Sequence, residues 1–364
     1  MVVETPQPKK PSGPNLSDVA FGARLLIKYG AIFLVFLMIG RIVLNMTVTL
    51  YMTLNPPKPP GPTYGFGTLP PVKFPEIAPV VQSYELQTRT GTLPLLETQL
   101  PVFFMPLQTI GLLSLDEAKR EAAALGFVFA PEQTSPTIYR WRKSSPLPAT
   151  LDIDIVSKSF TLKVDWTSDP GFLSDKSLPQ QAFTITNTRE TLQEADLLAP
   201  DIATSDARVG FLKASGLAYA PAVSFSEADF IQVDVFRLPI RQRYPILGPS
   251  PSKGNARFIF SGKREAGINV VEASYYHAPI EYERFETYGL ISPQQAWQMM
   301  QNGQGFVANI DEGVTHAIVR NVSLAYYDSE TPQNYLQPVY VFTGDQNFYG
   351  YVPAVLPPSQ SSKL

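Results

Sequence analysis

The chain has 364 residues, of which 44% are hydrophobic and 17% charged, with a formal net charge of −3. This near-neutral balance, without a basic stripe, removes the electrostatic case for nucleic acid. Cysteine is absent and histidine occurs only at His277 and His316, so thiol chemistry and disulfides are excluded and no metal or other cofactor is expected.

The first element is an apolar run. From Tyr29 to Pro57 the only charged residue is Arg41. A stretch of this length exceeds the ~20 apolar residues needed to cross a bilayer. A cleavable signal peptide would have a shorter apolar region ending in a small-x-small site, and the run leads instead into Asn55-Pro56-Pro57. The reading is therefore an uncleaved transmembrane helix over 27–53. Lys9, Lys10, Arg24 and Lys28 precede it, against Lys58 and Lys73 after it. The positive-inside rule then places the N-terminus in the cytoplasm and the rest of the chain outside. Arg41 and Asn45 stand one turn apart on a shared face. An intramembrane arginine costs at least ~2.5 kcal/mol, so contact with a partner helix is one reading and snorkelling the other.

Residues 54–79 follow, and 55–79 hold nine prolines. Proline fixes φ and lacks an amide donor, so this segment reads as a polyproline stalk of up to roughly 75 Å.

Beyond it, Ser114-x-x-Glu117 has the form of a capping box opening a helix with Leu115, Ala118, Ala122 and Leu125 on one face and Gly126 as its stop. LDIDIV and SFTLKVDW, around 151–166, alternate at period two and predict strands. A helix over Asp206–Ser215, then a strand at IQVDVFRL, would repeat the earlier pattern. "GFVFAP" at 126–131 and "GLAYAP" at 216–221 align without a gap, which suggests a tandem duplication. RFIF…NVVEASYY predicts a hairpin with a turn near Gly262–Gly267. Ser292, Pro293 and Gln295 mark a helix start, Gly303 its end, and AIVRNVSLAYY, LQPVYVFTG and NFYGYVPAV predict antiparallel strands.

Chemistry-bearing patterns are sparse. Ser250-x-x-Lys253 resembles the Ser-x-x-Lys of β-lactamases but lies in a proline- and glycine-punctuated loop without a Lys-Thr-Gly partner. Gly65-Phe-Gly67 and Gly303-Gln-Gly305 lack a phosphate-binding context and read as a turn and a helix stop. Asp152 and Asp154 share one side of a strand and read as a solvated face. His277 reads as an ordinary hydrogen-bonded strand histidine. No deep pocket with convergent polar groups is expected. A tyrosine-rich set from Tyr275 to Tyr351 should mostly pack a sheet, and an exposed subset would form a partner-binding face.

Tyr288-Gly-Leu-Ile-Ser-Pro-Gln-Gln-Ala-Trp, Val322-Ser-Leu-Ala-Tyr-Tyr and Leu336-Gln-Pro-Val-Tyr-Val-Phe, in the last ~85 residues, resemble the C-terminal domain of YycH/YycI-type bacterial regulators. The resemblance implies a module anchored by one N-terminal helix that modulates a histidine kinase from outside the membrane and carries no catalytic residues.

The sequence thus leads to an α+β protein with one transmembrane helix, a proline-rich stalk and two mixed domains with largely antiparallel sheets. The expected divisions are a cytoplasmic 1–26, a helix 27–53, a stalk 54–79, domains 80–180 and 181–355, and a disordered tail 356–364. The expected role is non-enzymatic binding and regulation in the bacterial envelope, through a membrane or envelope protein partner. A homo-oligomer, a scaffold of a division or pilus-type assembly and, last, an envelope hydrolase remain alternatives.

Overall fold

α1 (Leu16–Leu54) runs for 39 residues, and its apolar side chains from Val19 to Leu54 are exposed. It is long and apolar enough to cross a membrane, which makes it a candidate span or signal sequence. The computed structural model describes residues 16–54, 61–174, 177–265 and 267–356, and the side chains from 19 onward. Two compact units divide between Gly61 and Pro62. The helix begins ahead of the expected 27–53, and residues 1–15 lie outside the described residues.

The second unit opens with β1 (Ser83–Leu86), β2 (Gln99–Phe104) and α2 (Ser114–Ala124). The strands β3 (Glu132–Gln133), β4 (Ile138–Lys143), β5 (Ala149–Asp154) and β6 (Phe160–Val164) follow. α3 (Gln181–Glu194) and the one-turn α4 (Pro200–Ala203) lead into β7 (Ala207–Ser215), β8 (Ala218–Pro221) and β9 (Phe230–Val235). Next come β10 (Ile246–Leu247), β11 (Ala256–Phe260), β12 (Val270–Tyr275) and β13 (Glu281–Gly289). α5 (Pro293–Gln301), β14 (Phe306–Asn309), β15 (His316–Tyr327), β16 (Tyr335–Gly344) and β17 (Tyr349–Pro353) complete it.

The strands form two sheets. One has nine strands in the order β3-β4-β5-β6-β12-β11-β9-β7-β8, all antiparallel. The other has eight: β1-β15-β16-β17-β14 in sequence, with β10 on β15 and β2 joining β16 to β13. Among the described residues, only the pairings of β1 and β10 with β15 are parallel. The chain therefore enters the eight-stranded sheet, leaves to build the nine-stranded one, and returns. The expected division at 180/181 cuts through the nine-stranded sheet, because β6 pairs with β12 from the far side of that point. Period-two alternation located the strands but carried no information on which distant strand each would meet.

β5 and β6 alternate as expected, burying Leu151, Ile153, Phe160, Leu162 and Val164 against Ala118 and Ala122 of α2 and Leu192 of α3. In β15 and β16 the alternation nearly vanishes, since Leu324, Tyr326, Tyr340 and Phe342 pack one core while Ala325, Tyr327, Val339 and Val341 pack another. Both faces of these strands are covered: one by Ala296 and Met300 of α5, the other by part of the proline-rich segment.

That covering corrects the expected stalk. Residues 55–60 lie outside the described residues, but from Pro62 the chain lies on the second unit. Thr63 and Tyr64 donate their N–H groups to the Thr287 carbonyl, and Gln337 donates to the Pro70 carbonyl. Phe74 stacks on Phe306 at 5.1 Å and meets Tyr327 edge-on at 4.8 Å. Side chains 62, 64 and 66, then 69, 72, 74 and 78, are the half-buried ones. An extended chain presents alternate residues to one side, so its aromatic and aliphatic side chains, Tyr64, Phe66, Val72 and Phe74 among them, make an apolar strap rather than a solvated spacer.

Three local readings also change. Asp206–Ser215 contains the strand β7 rather than a helix, so the match at 126–131 and 216–221 follows a helix in one case and a strand in the other. α2 is capped by the backbone of Leu113 without a side-chain bond, and the Ser114 hydroxyl accepts from the Gly111 N–H. The expected tail begins too early. Leu356 is buried and donates its N–H to the Gly289 carbonyl, while 357–364 lie outside the described residues. The start at Ser292 holds, with both bonds of the capping box to Gln295 formed and Pro293 in the first turn.

Candidate functional site

Four distant segments meet at Arg237. The alternation of β9 places Ile231, Val233 and Val235 in the core, and two residues further on the same phase carries Arg237 inward. Its side chain is 0% exposed. Nε donates to Asp201 Oδ2 at 2.6 Å, and Nη1 donates to Asp328 Oδ2 and to the Ala278 carbonyl, both at 2.9 Å. Asp201 comes from the first turn of α4, Ala278 from the β12–β13 connection, and Asp328 from the residue after β15. The arginine thus ties elements of both sheets to one point.

Asp201 has two further partners. His277 Nε2 lies 2.9 Å from its Oδ1, and the Tyr282 hydroxyl donates to Oδ2 at 3.1 Å. Tyr282 reaches it from an irregularity in β13, where the pairing with β2 steps from Glu281 to Phe285 while β2 advances one residue. Such a bulge re-aims side chains.

Burial by itself raises the Asp201 carboxyl, but the hydrogen bond to His277 and the Arg237 charge outweigh it and hold it well below the usual carboxylate range. For Arg237 burial opposes the charge, and Asp328 and Asp201 overcome it, raising the guanidinium above its ordinary value. At Asp328 burial dominates and raises the carboxyl despite the arginine. Burial likewise pushes the Tyr282 phenol up to about 12. Two buried polar atoms of this network, Arg237 Nη2 and Asp328 Oδ1, have no aligned hydrogen-bond partner among the described residues. A buried group left this way costs ~1–3 kcal/mol, more when charged.

The network floors a cavity of about 740 Å³. Its walls include Phe103, Ile240, Ile280 and the four prolines Pro101, Pro200, Pro239 and Pro279. Its rim carries Leu238, Tyr282 and Phe285, each 39–43% exposed. Arg241, at the same wall, has a φ of +52°, and Gln242 beside it +56°. Left-handed backbone is costly for residues with a Cβ and is held here by the two Ile240–Tyr244 backbone bonds. The expectation of no pocket with convergent polar groups is therefore corrected. Asp201, Arg237, His277 and Tyr282 do converge, drawn from three separated stretches of chain.

The other singled-out residues have structural partners. Arg140 holds Asp152 in a two-bond pair at 2.6 and 2.7 Å. Asp154 accepts from the N–H groups of Val156 and Ser157 and from the Thr137 hydroxyl. Lys253 pairs with Glu330 at 3.1 Å, and the Ser250 carbonyl accepts from the Lys253 N–H. All five of Asp152, Asp154, Ser250, Lys253 and Glu330 line a smaller cavity of about 260 Å³ whose lining also includes Asp328. Gly303 takes a φ of +72° and ends α5, as read. Arg41 and Asn45 are exposed on α1, one turn apart, with the Asn45 carbonyl accepting from the Thr49 hydroxyl. Of the tyrosine-rich set, Tyr275, Tyr288, Tyr326, Tyr327, Tyr340 and Tyr351 are buried, and Tyr282 is the exposed member.

Arg237 and Asp201 escaped the sequence reading, although Arg237 left a trace there. Alternation along IQVDVFRL puts an arginine in phase with three core residues, which demands a buried counter-charge. Asp201 offered no comparable mark.

Comparisons with known proteins add little to this geometry. No protein-family model matches the chain, and no curated protein matches it. Among solved structures, an uncharacterized protein from Eubacterium rectale ATCC 33656 matches at a TM-score of 0.32 and 10% identity, over 71% of this chain and 82% of that one.

Proposed function

We propose that this chain is a single-pass membrane protein of the bacterial envelope, with a cytoplasmic N-terminus and an extracytoplasmic folded region that binds a protein partner and performs no catalysis. The observation that carries the reading is the Arg237 cavity. Its exposed rim of Leu238, Tyr282 and Phe285 has the composition of an interface anchor. Its charged floor is engaged inward, since both oxygens of Asp201 already accept hydrogen bonds from the protein. The described residues lining it include no serine, threonine or cysteine that His277 could activate as a nucleophile. The apolar α1 and the basic residues ahead of it support the topology, and the resemblance of the C-terminal region to YycH/YycI-type regulators supports a regulatory role.

The test uses the full chain in its native membrane, with a photo-crosslinking amino acid in place of Leu238 or Phe285. The expected result is one discrete adduct with an envelope protein from both positions, and none from the exposed Leu217 on the β7–β8 hairpin. Several stoichiometric adducts would favour a scaffold, and no adduct from either rim position would overturn the reading.

A further inference from the structure

We propose that Arg41 and Asn45 of α1 form a docking face for a transmembrane helix of a different protein, one that carries an aspartate or glutamate at mid-depth in the bilayer. This rests on the membrane-spanning part of the reading above and is independent of the Arg237 cavity.

Depth makes the case for a partner. Arg41 is the only charged residue from Tyr29 to the end of α1 at Leu54. At ~1.5 Å per residue that stretch is about 38 Å long, with Arg41 roughly 18 Å from Tyr29 and roughly 20 Å from Leu54. A hydrocarbon layer of ~30 Å laid anywhere within it leaves the Arg41 backbone at least ~10 Å from the nearer surface. An arginine side chain is shorter than that, so snorkelling alone leaves the guanidinium short of water. Unpaired, it costs at least ~2.5 kcal/mol.

The threonines of the span behave differently. Thr47, Thr49 and Thr53 turn their hydroxyls onto carbonyls three or four residues back, at 2.6–3.0 Å, and need nothing from outside the helix. The side chains of Arg41 and Asn45 make no hydrogen bond or ion pair among the described residues. One turn apart, with ~6 Å between their Cβ atoms, they can donate to a single acceptor.

Charge then selects the acceptor. An amide or hydroxyl would satisfy the donors and leave the positive charge in lipid, whereas a carboxylate also neutralises it and matches the guanidinium fork. A second copy of this chain cannot supply that group. No aspartate or glutamate occurs from Val19 to Leu54, and a copy of the same topology brings another Arg41 to the same depth. The occupant is therefore an acidic helix of another protein.

The experiment measures energy transfer between the labelled full chain in phosphatidylcholine vesicles and host helices of about 20 leucines with one central glutamate, glutamine or leucine. Half-maximal transfer should come at an at least tenfold lower mole fraction for the glutamate host than for the other two. Arg41→Leu should abolish that preference and Asn45→Leu should weaken it, with the melting midpoint of the folded region unchanged. Equal transfer to the three hosts, or a preference that survives Arg41→Leu, overturns the inference. In the native membrane, a photo-crosslinking amino acid at Val48, on the Arg41 face, should capture a span that contains aspartate or glutamate, and one at Ile39, on the opposite face, should not. Arg41→Leu should suppress that adduct, and Arg41→Glu combined with arginine at the captured carboxylate should restore it. No adduct from Val48, an adduct with another copy of this chain, or one with a span free of acidic residues overturns the proposal. A chain that leaves the membrane on alkaline extraction would overturn the membrane reading as well, whereas an embedded chain indifferent to the glutamate host overturns this inference alone.

Discussion

A guanidinium with 0% exposure is stable only while its counter-charges stay in place, and Arg237 has two of them, Asp201 and Asp328. Removing one partner of a buried pair leaves an uncompensated charge, at a cost of about 3–5 kcal/mol. Asp201→Ala should therefore lower unfolding stability by about that amount in denaturant titrations. Replacing Arg237, Asp201 and Asp328 together by apolar residues of similar volume should cost much less, because no charge is then stranded. Loss of stability in the triple variant as large as in Asp201→Ala would contradict this account. Protonation probes the same pair. The Asp201 carboxyl is held below its ordinary value, so the unfolded chain binds its proton more readily than the folded one. Its contribution is whole above the ordinary carboxylate pKa of ~3.9 and is withdrawn as the pH falls toward the depressed value. Asp328, raised by burial, acts in the opposite sense and gains as the pH falls. Between pH 5 and 2, Asp201→Asn should thus lose stability less steeply than the natural chain, measured as midpoints across that window.

At the level of elements, two identical-looking helix starts behave differently. Ser292 occupies a true N-cap, in extended conformation with a ψ of 154°, and accepts from the Gln295 N–H. At the other, the cap is Leu113, which is already in helical conformation, so Ser114 lies inside the first turn and its hydroxyl turns back to Gly111. Ser292→Ala should cost about 1 kcal/mol in chemical unfolding and Ser114→Ala distinctly less. Equal losses would sink the distinction. α3 shows why other elements were not legible. Its buried face is Thr184, Thr188 and Leu192, a stripe that hydropathy does not register. Those threonines can be buried because their hydroxyls bond the carbonyls of Gln181 and Thr184 in the preceding turn. β7 carries ARVGFLKAS, where Val209, Phe211 and Leu212 fit either period, and only pairing with β9 decides for the strand. The antiparallel C-terminal strands were legible because their runs are long, rich in β-branched and aromatic residues, and joined by the Gly-Asp-Gln-Asn turn, in which Gln346 and Asn347 both take positive φ.

At the scale of the whole molecule, legibility follows the range of the interaction that decides a feature. α1 was readable as a helix long and apolar enough to cross a bilayer, because that property depends on local length and composition alone. The strap was misread because its aromatic residues acquire meaning only from Phe306 and Tyr327, more than 200 positions away. The cavity floor is harder still, as Arg237 meets partners 36, 41 and 91 residues distant. Each of those residues is unremarkable in its own neighbourhood. Topology is where local sequence makes its most direct commitment beyond the fold. Lys9, Lys10, Arg24 and Lys28 precede the apolar run, so the N-terminus should be retained in the cytoplasm and the folded region exported. Alkaline phosphatase folds only outside the cytoplasm, so a fusion after the folded region should be active, and a fluorescent protein at the same place that matures only inside should stay dark. The fusion should also keep its full mass and resist alkaline extraction, because an uncleaved α1 buries ~20 or more apolar residues in lipid. A shortened, extractable product would identify α1 as a cleaved signal. An inactive phosphatase with a bright fluorescent fusion would place the Arg237 cavity on the cytoplasmic side and redirect the search for its partner there.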